Sequence, residues 1–574
     1  MLTALLRTSP PSRPLITSFT RPFARSFLTT RYNMAPQRVE INIEPLADGT
    51  MKEVPFPKTD SESKILISKV QGCYYATSAK CTHYGAPLAK GVLTSDGRII
   101  CPWHGAAMSC KTGDIEDAPG LDNLATFKIE SEGDKLFVTP PENGDVTATR
   151  QPPSNSGSKS QTGVVIVGGG AGAAHAVEAL RQNGYEGSIK VISKEPYLPI
   201  DRTKLSKALL ADPSKVALRS QDFYDKLGVE FQLNTEVESI DFDKSSVKVS
   251  GGNSVSYEKL ILATGSNPNR IPVDGSKLGN IFVLRTIEDT KQINDALGGE
   301  DGPKKNVVVI GSSFIGMEAA LAAAGKANVT VVGMENAPFE AILGKAIGNG
   351  IRKFHESKGT KFYLPGALSH FSASSSDSSK VGSVELKDGT SIPADLVVLG
   401  VGVKPATAFL KASGVELEKD GSVVVDEYLK LHGKENVFAV GDIATYKDVK
   451  TGKNTRVEHW NVASNHARNV AATIAGKSPT PYEKISVFWS AQGQQLRYAG
   501  TSRAKTWEDV IVQGSPEDLK FVAYYTAGED VVAVASMQND PIAAHCSELM
   551  RLNKMLSVKE IKDGKSPLDV KLVA

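Results

Sequence analysis

The sequence predicts a multidomain chain: an all-β N-terminal domain, two α/β nucleotide-binding units of the parallel-sheet kind, and an α+β C-terminal domain. Three observations carry this. Residues 36–142 hold short alternating runs, such as Lys64–Val70 and 134–139, separated by Gly, Pro and Asp turns; that is the pattern of short, half-buried strands. From Gly163 onward, apolar runs at 164–167 and again at 307–310 each lead into a glycine loop and an Ala-rich segment. Such strand–loop–helix units make parallel sheets, and their recurrence indicates an internal duplication. After about residue 477 strand-like stretches return, at 510–513 and 519–525.

At 574 residues the chain has room for about four domains. The organisation reads as a leader at 1–35, the β domain at 36–142, a linker at 143–162, the first nucleotide unit at 163–287 and its second part at 412–476. The second nucleotide unit lies between them at 288–411, and 477–574 form the C-terminal domain. The linker is rich in Ser, Pro and Gly; a flexible 20-residue coil spans about 25 Å, so the β domain is expected to swing without a fixed seat.

Hydrophobic residues at 40% and charged residues at 23% exclude collagen-like, disordered and disulfide-scaffold classes. No run of about 18 apolar residues suggests a membrane helix. Five cysteines are too few for a disulfide framework and point to reducing surroundings or to metal and redox use. Arg7, Arg13, Arg21, Arg25 and Arg31 stand in a leader without lysine or acid, the composition of a mitochondrial transit peptide. Removal of about residues 1–33 on import is expected, and Met34 could start a cytosolic form. Taking those five charges from the net +2 leaves −3 for the remainder, so no nucleic-acid partner is expected.

The most specific signal is Cys81-Thr-His83 followed, after 17 residues, by Cys101-Pro-Trp-His104. Two thiolates and two imidazoles suit a tetrahedral zinc site. They suit equally a [2Fe–2S] centre in which two cysteines hold one iron and two histidines the other. The flanking stretches 81–88 (Cys-Thr-His-Tyr-Gly-Ala-Pro-Leu) and 101–106 (Cys-Pro-Trp-His-Gly-Ala) resemble the two cluster loops of the Rieske ferredoxin family. That resemblance implies Cys81, His83, Cys101 and His104 as metal ligands. High-potential members of the family carry a disulfide joining the loops and hydroxyl donors after the second; here those positions are Ala86, Trp103, Ala106 and Met108. Fewer hydrogen bonds to the cluster lower its potential, so a ferredoxin-like centre is expected. Cys73, Cys110 and Cys546 have no paired spacing and read as buried thiols.

The first glycine loop, with Gly168, Gly170 and Ala173, fits Gly-x-Gly-x-x-Gly/Ala, which brings backbone to a pyrophosphate at a helix N-terminus. Glu195, after the strand that follows, is an acid able to hold a ribose hydroxyl. The second loop has Gly311, Ser313 and Gly316, with Gly333 directly after the next strand and Glu335 two residues on. If Glu335 reaches the ribose, NADH is preferred, because a carboxylate repels a 2′-phosphate; Arg352 and Lys353 are too far along the chain to decide the matter. The choice between NADH and NADPH stays open.

Residues 260–266 (Leu-Ile-Leu-Ala-Thr-Gly-Ser) and 436–442 (Asn-Val-Phe-Ala-Val-Gly-Asp) resemble the flavoprotein disulfide-reductase superfamily with its Rossmann-like FAD and NAD(P) domains. The stretches 198–207, 400–405, 456–460 and 487–490 are similar to the apoptosis-inducing-factor group and the ferredoxin reductases of oxygenase systems. The resemblance implies FAD contacts at Gly168, Gly170, Ala173, Glu195, Arg202, Lys207, Val237, Thr264, Gly265, Asp442 and Trp489. It implies NAD(P) contacts at Gly311, Ser313, Gly316, Glu335 and Gly402. Lys207, Glu318 and Trp489 are the residues expected beside the flavin's reacting ring, with Lys207 paired to Glu318. No Cys-x4-Cys follows the first unit, so disulfide reduction is not expected.

Together the parts imply an NAD(P)H-dependent FAD oxidoreductase that exchanges electrons with a Rieske [2Fe–2S] cluster on the same chain. The final acceptor, whether ferredoxin, oxygenase or quinone, is not legible, nor is the choice between monomer and homodimer. The resemblance also allows a redox-sensing or cell-death signalling protein, or a fused ferredoxin reductase–ferredoxin serving an oxygenase.

Overall fold

The computed structural model describes residues 38–56, 63–140, 150, 153, 162–299, 302–448, 452–500 and 507–572. The leader, with Met34, and most of the linker lie outside them. No helix among the described residues is long and apolar enough to cross a membrane.

The N-terminal domain is built only of strands and one short 3₁₀ turn. A four-stranded antiparallel sheet orders Thr50–Pro55, Lys64–Val70, Cys73–Ser78 and Thr126–Phe127, and a second orders Val92–Leu93, Arg98–Ile100, Ala107–Ser109 and Ile115–Asp117. The strand Lys64–Val70 is buried on both faces, as its near-continuous apolar sequence requires.

Both nucleotide units repeat one architecture. In the first, five parallel strands run in the order Val229–Gln232, Ser188–Ile192, Gly163–Val167, Lys259–Leu262 and Val437–Ala439. In the second the order is Lys361–Tyr363, Asn328–Val332, Asn306–Ile310, Leu396–Leu399 and Ile281–Phe282. Each carries a three-stranded antiparallel meander before its last strands. The boundaries expected at 287/288 and 411/412 both shift. Ile281–Phe282 pairs within the second sheet, while Phe409 and Leu410 pack in the core of the first unit. The chain crosses between units where Ser266–Pro268 pairs with Val403–Pro405. Two-residue strands such as Ile281–Phe282 are too short to show a period, so sequence pattern cannot place them.

The C-terminal domain is a five-stranded antiparallel sheet with the helices Ile542–Arg551 and Val558–Lys562. Its Phe488, Tyr498, Phe521 and Tyr525 share one apolar core with Val307, Val309, Met317 and Ile351 of the second unit.

The N-terminal domain is seated, which corrects the expectation of a freely swinging module. Val92, Ile100 and Ala107 pack against Ala544, Leu549 and Leu572 of the C-terminal domain. Around this apolar contact stand directional bonds. Asn465 Oδ1 accepts from the Ala118 amide (2.9 Å), and Asn461 Nδ2 donates to the Ala118 carbonyl (2.9 Å). Arg98 reaches Glu548 at 2.8 Å. Even the linker is tied at one point: Arg150 is buried and its amide donates to Asp122 (3.0 Å). The strongest pin is Arg219, whose Nε meets Glu178 at 2.9 Å while its Nη1 meets Asp122 of the N-terminal domain at 2.7 Å.

Arg219 and Glu178 are 9% and 5% exposed, so removing the guanidinium strands a buried carboxylate. Arg219→Ala is expected to cost about 3–5 kcal/mol in denaturant unfolding and to open the N-terminal domain to limited proteolysis. Arg38→Ala, which breaks exposed ion pairs and a ring contact with Phe137, should change stability by no more than about 1 kcal/mol.

Candidate active site where four domains meet

The two cysteine–histidine loops are closed in the same way. The Cys81 amide donates to the Ala86 carbonyl (2.9 Å) and the Gly85 amide to the Cys81 carbonyl (2.9 Å). In the second loop the Cys101 amide donates to Ala106 (2.8 Å) and the Gly105 amide to Cys101 (3.1 Å). Gly85 and Gly105 sit at φ of 76° and 68°, a conformation that favours glycine. These turns aim backbone amides at the sulfurs: His83 and Tyr84 donate to Cys81, and Trp103 and His104 to Cys101.

All four expected ligands converge. Nδ1 of His83 and Nδ1 of His104 lie 3.0 Å apart; two nitrogens each about 2.1 Å from one metal stand roughly 3.0–3.4 Å apart. The thiols of Cys81 and Cys101 share a hydrogen bond, which holds the proton on Cys81 and draws Cys101 toward thiolate. Burial pushes His83 down to about 4 and His104 lower still, so both imidazoles are neutral with lone pairs free for a metal. Among the described residues no three such side chains close on one ion-sized point. A sulfur pair and a nitrogen pair set side by side fit a two-iron centre better than a single zinc.

The Rieske disulfide positions hold no bridge, and all five cysteines are free. Cys110 and Cys546 are buried as expected, but Cys73 is exposed, because it opens the strand Cys73–Ser78 at a turn.

The first dinucleotide cradle has the required room. Gly168, at φ of 112°, passes so close to Ala263 that a Cβ would stand 2.3 Å from its carbonyl oxygen, whereas a Cβ on Gly170 would meet open space. Gly170 caps the helix Ala171–Gln182 with no side-chain bond, leaving its first amides for an anion. Ala173 is buried beneath this turn. The second cradle repeats the plan: Gly311 lies against Gly400, Gly316 against Gly311, and Ser313 makes no capping bond to the helix Phe314–Ala323. These open, uncapped helix starts fit the pyrophosphates of two dinucleotides.

Around the first cradle, Asp442 accepts from Ser266 Oγ (2.5 Å) and Arg285 Nη2 (3.4 Å). Gly265, at φ of 65°, faces the Arg285 guanidinium, and Thr264 donates to the Ala406 carbonyl at 2.9 Å. Glu195 is ion-paired with Arg202 and accepts from Tyr197 Oη (3.3 Å). Val237 is a core residue opening a meander strand. Gly402, at φ of 80°, accepts from the Asn269 amide at the crossing between units.

Lys207 and Glu318 do pair, at 3.0 Å. Glu318 is 4% exposed and also accepts from Ser206 Oγ (2.5 Å) and Ser490 Oγ (2.7 Å). First unit, second unit and C-terminal domain therefore meet on one carboxylate. Next to Ser490 stands Trp489, whose ring centroid is 4.3 Å from that of His104 and 4.8 Å from that of His459. Trp460 stacks parallel to His83 at 6.3 Å and meets His175 edge-on at 5.2 Å. Tyr84 stacks on His83 at 3.9 Å and donates to Asp201 of the first unit (2.7 Å).

Sequence reasoning missed Trp460, His175, His459, Tyr84 and Asp201. Tyr84 lies within the first cluster loop itself, next to His83; the stretch at 456–460 was marked only by its likeness to other chains, and no spacing links Trp460, His175, His459 or Asp201 to the cluster loops.

The sequence pattern of the pyridine nucleotide-disulphide oxidoreductases matches residues 162–467, and that of the Rieske [2Fe–2S] domain matches 42–128. The chain belongs to the pyridine nucleotide-disulphide oxidoreductases. It is similar to human apoptosis-inducing factor 3, 36% identical over 91% of this chain and 85% of that one. It is also similar to putidaredoxin reductase of Pseudomonas putida, 32% identical over 66% of this chain and 89% of that one. Among solved structures, the covalent putidaredoxin reductase–putidaredoxin complex superposes with a TM-score of 0.63 at 29% identity, covering 68% of this chain and 93% of that one. The chain is thus an NAD(P)H-dependent flavoprotein oxidoreductase with a Rieske domain, using FAD, NAD(P)H and a [2Fe–2S] cluster.

His466 braces the site from behind. It is fully buried, and its Nδ1 accepts from the Gly441 amide (3.2 Å) beside Asp442. Burial pushes it down to about 3. Between pH 3 and about 6.5 the unfolded chain therefore holds a proton that the folded chain lacks. Its contribution is complete above pH 6.5 and lost as pH falls through that window, by at most about 1.4 kcal/mol per pH unit. Denaturant midpoints measured from pH 7 to pH 4 should fall, and His466→Gln should flatten the slope by up to one proton.

Proposed function

We propose that this chain is an internal electron relay: NAD(P)H is oxidised at the second unit, FAD is held by the first, and the seated Rieske domain takes the electrons onward. Cys81, His83, Cys101 and His104 serve as the cluster ligands. When bound, FAD accepts hydride and releases single electrons, and the cluster takes one at a time. The observation that carries the proposal is the seat of His104, ring to ring at 4.3 Å with Trp489. Trp489 in turn neighbours Ser490, which binds the Glu318 that Lys207 also holds.

The chain's own residues supply position and exclusion of water. Glu318, Lys207 and Ser490 tie the three domains to one another. Trp489 and Trp460 stand against the cluster histidines, with His459 and His175 against those two rings, and Asp442, Glu195 and Arg202 would hold the flavin's ribityl and ribose hydroxyls. Tyr84, 42% exposed, marks the open side of the cluster, where a ferredoxin, oxygenase or quinone would collect the electron. The solved relative joins a reductase to a second protein; here the iron–sulfur domain is on the same chain, which supports a fused reductase–ferredoxin. The five-arginine leader supports mitochondrial import.

Rapid mixing with NADH under anaerobic conditions tests the relay. Cluster reduction should be independent of protein concentration, and Cys101→Ser should abolish the cluster signal while flavin still bleaches. Because the domain is seated, ten extra Gly-Ser residues in the linker should leave the rate within about twofold, whereas a tethered search slows as the linker grows. A rate proportional to enzyme concentration would mean transfer between molecules.

A further inference from the structure

The adenosine end of the second dinucleotide cradle departs from the usual arrangement, in which a carboxylate after the second strand takes the ribose hydroxyls and repels a 2′-phosphate. Directly after Asn328–Val332 stands Gly333. Its amide donates to the Tyr363 carbonyl (3.2 Å), and its carbonyl accepts from Gly366 (2.7 Å). A Cβ on Gly333 would lie 2.5 Å from Ser312 Oγ and 2.9 Å from Leu364. The direction in which an acid would reach the phosphate loop is occupied by a neutral hydroxyl.

The next acid, Glu335, has a partner within its own loop. Its Oε1 accepts from the Ala341 amide (3.3 Å), and burial raises it above the usual carboxylate range. Glu340 is likewise spent, accepting from the Asn336 (2.8 Å) and Ala337 (3.1 Å) amides. Both carboxylates are thus bonded to amides of the loop and helix that follow the strand. The rim there is apolar, with Met334 83% exposed and Tyr363, paired in register with Val332, 36% exposed. The two cations that the sequence offered are engaged elsewhere: Arg352 with Glu356 and Lys353 with Glu517.

We propose that the adenosine 2′-position is met by Ser312 and an apolar rim, with Glu335 serving as a loop brace, so that the site accepts NADPH and NADH with little discrimination. A neutral rim neither repels a 2′-phosphate nor pairs with it. This rests on the second unit being the pyridine-nucleotide site.

The test is calorimetric titration of the full holoprotein with ADP-ribose and with 2′-phospho-ADP-ribose, neither of which can donate hydride. The two dissociation constants should agree within about tenfold, and Glu335→Gln should leave their ratio unchanged within about threefold. Installing the missing carboxylate, Gly333→Asp with Ser312→Gly to make room, should weaken only the 2′-phosphate ligand, by about thirtyfold or more. Preference for ADP-ribose above about a hundredfold in the parent protein, collapsing in Glu335→Gln, would show Glu335 at the ribose and overturn the proposal. Binding of neither ligand would overturn the assignment of the second unit, and the proposal with it.

Discussion

A single buried carboxylate organises the molecule. Glu318 stands early in the helix that follows the second glycine loop, and it takes bonds from Lys207, Ser206 and Ser490. An isolated carboxylate at 4% exposure would be too costly to ionise; with a lysine and two hydroxyls it is satisfied. Each of the three donors comes from outside the second unit. Any drift of the first unit, or of the strand Val487–Gln492, would leave that charge partly unpaired. Domain arrangement here depends on electrostatic satisfaction as much as on the apolar core that the second unit shares with the C-terminal sheet.

The same strand then determines where the Rieske domain can sit. Val487 packs on Gly105 so closely that a Cβ there would lie 3.2–3.3 Å from its side-chain atoms. The glycine that closes the second loop thus also admits the C-terminal strand. With Trp489 against His104 and Tyr84 bonded to Asp201, both loops are buttressed from outside their own domain. A module meant to swing would need to desolvate and resolvate these groups in every cycle. The buried Arg219–Glu178 pair reaching Asp122 makes that expensive, so a fixed seat is the arrangement the packing favours.

What could be read from sequence was whatever depends on neighbours along the chain. Cys81-Thr-His83 and Cys101-Pro-Trp-His104 are local loops, and Gly168, Gly170, Gly311 and Gly316 are local turns, so their roles in the fold were visible as spacing. The pairing of Lys207 with Glu318, 111 residues apart, was reached only through likeness to other chains. Contacts such as Tyr84–Asp201 and Asn461–Ala118 were not legible, because nothing in either segment encodes its distant partner. In the linker, composition gives no sign that Arg150 is buried and bonded to Asp122. At Glu335 the acid sits at a suitable offset along the chain, and the fold adds a bond from the Ala341 amide that no pattern encodes.

The electrostatics of the cluster follow from the docking rather than from the loops alone. Ala106 and Met108 are buried and offer no hydroxyl to a sulfur, which on its own lowers the potential of a Rieske centre. The C-terminal domain supplies what the loops lack. Arg497, 3% exposed, lies over the Trp103 ring at 6.0 Å and its charge draws Cys101 toward thiolate. Its carboxylate partner, Asp540, is at 3.6 Å, and burial raises the Asp540 carboxyl above its usual range. A cation next to the loop favours the reduced, more negative state. The reductase body thus places beside the second cluster loop a cation that the Rieske domain's own loops do not supply.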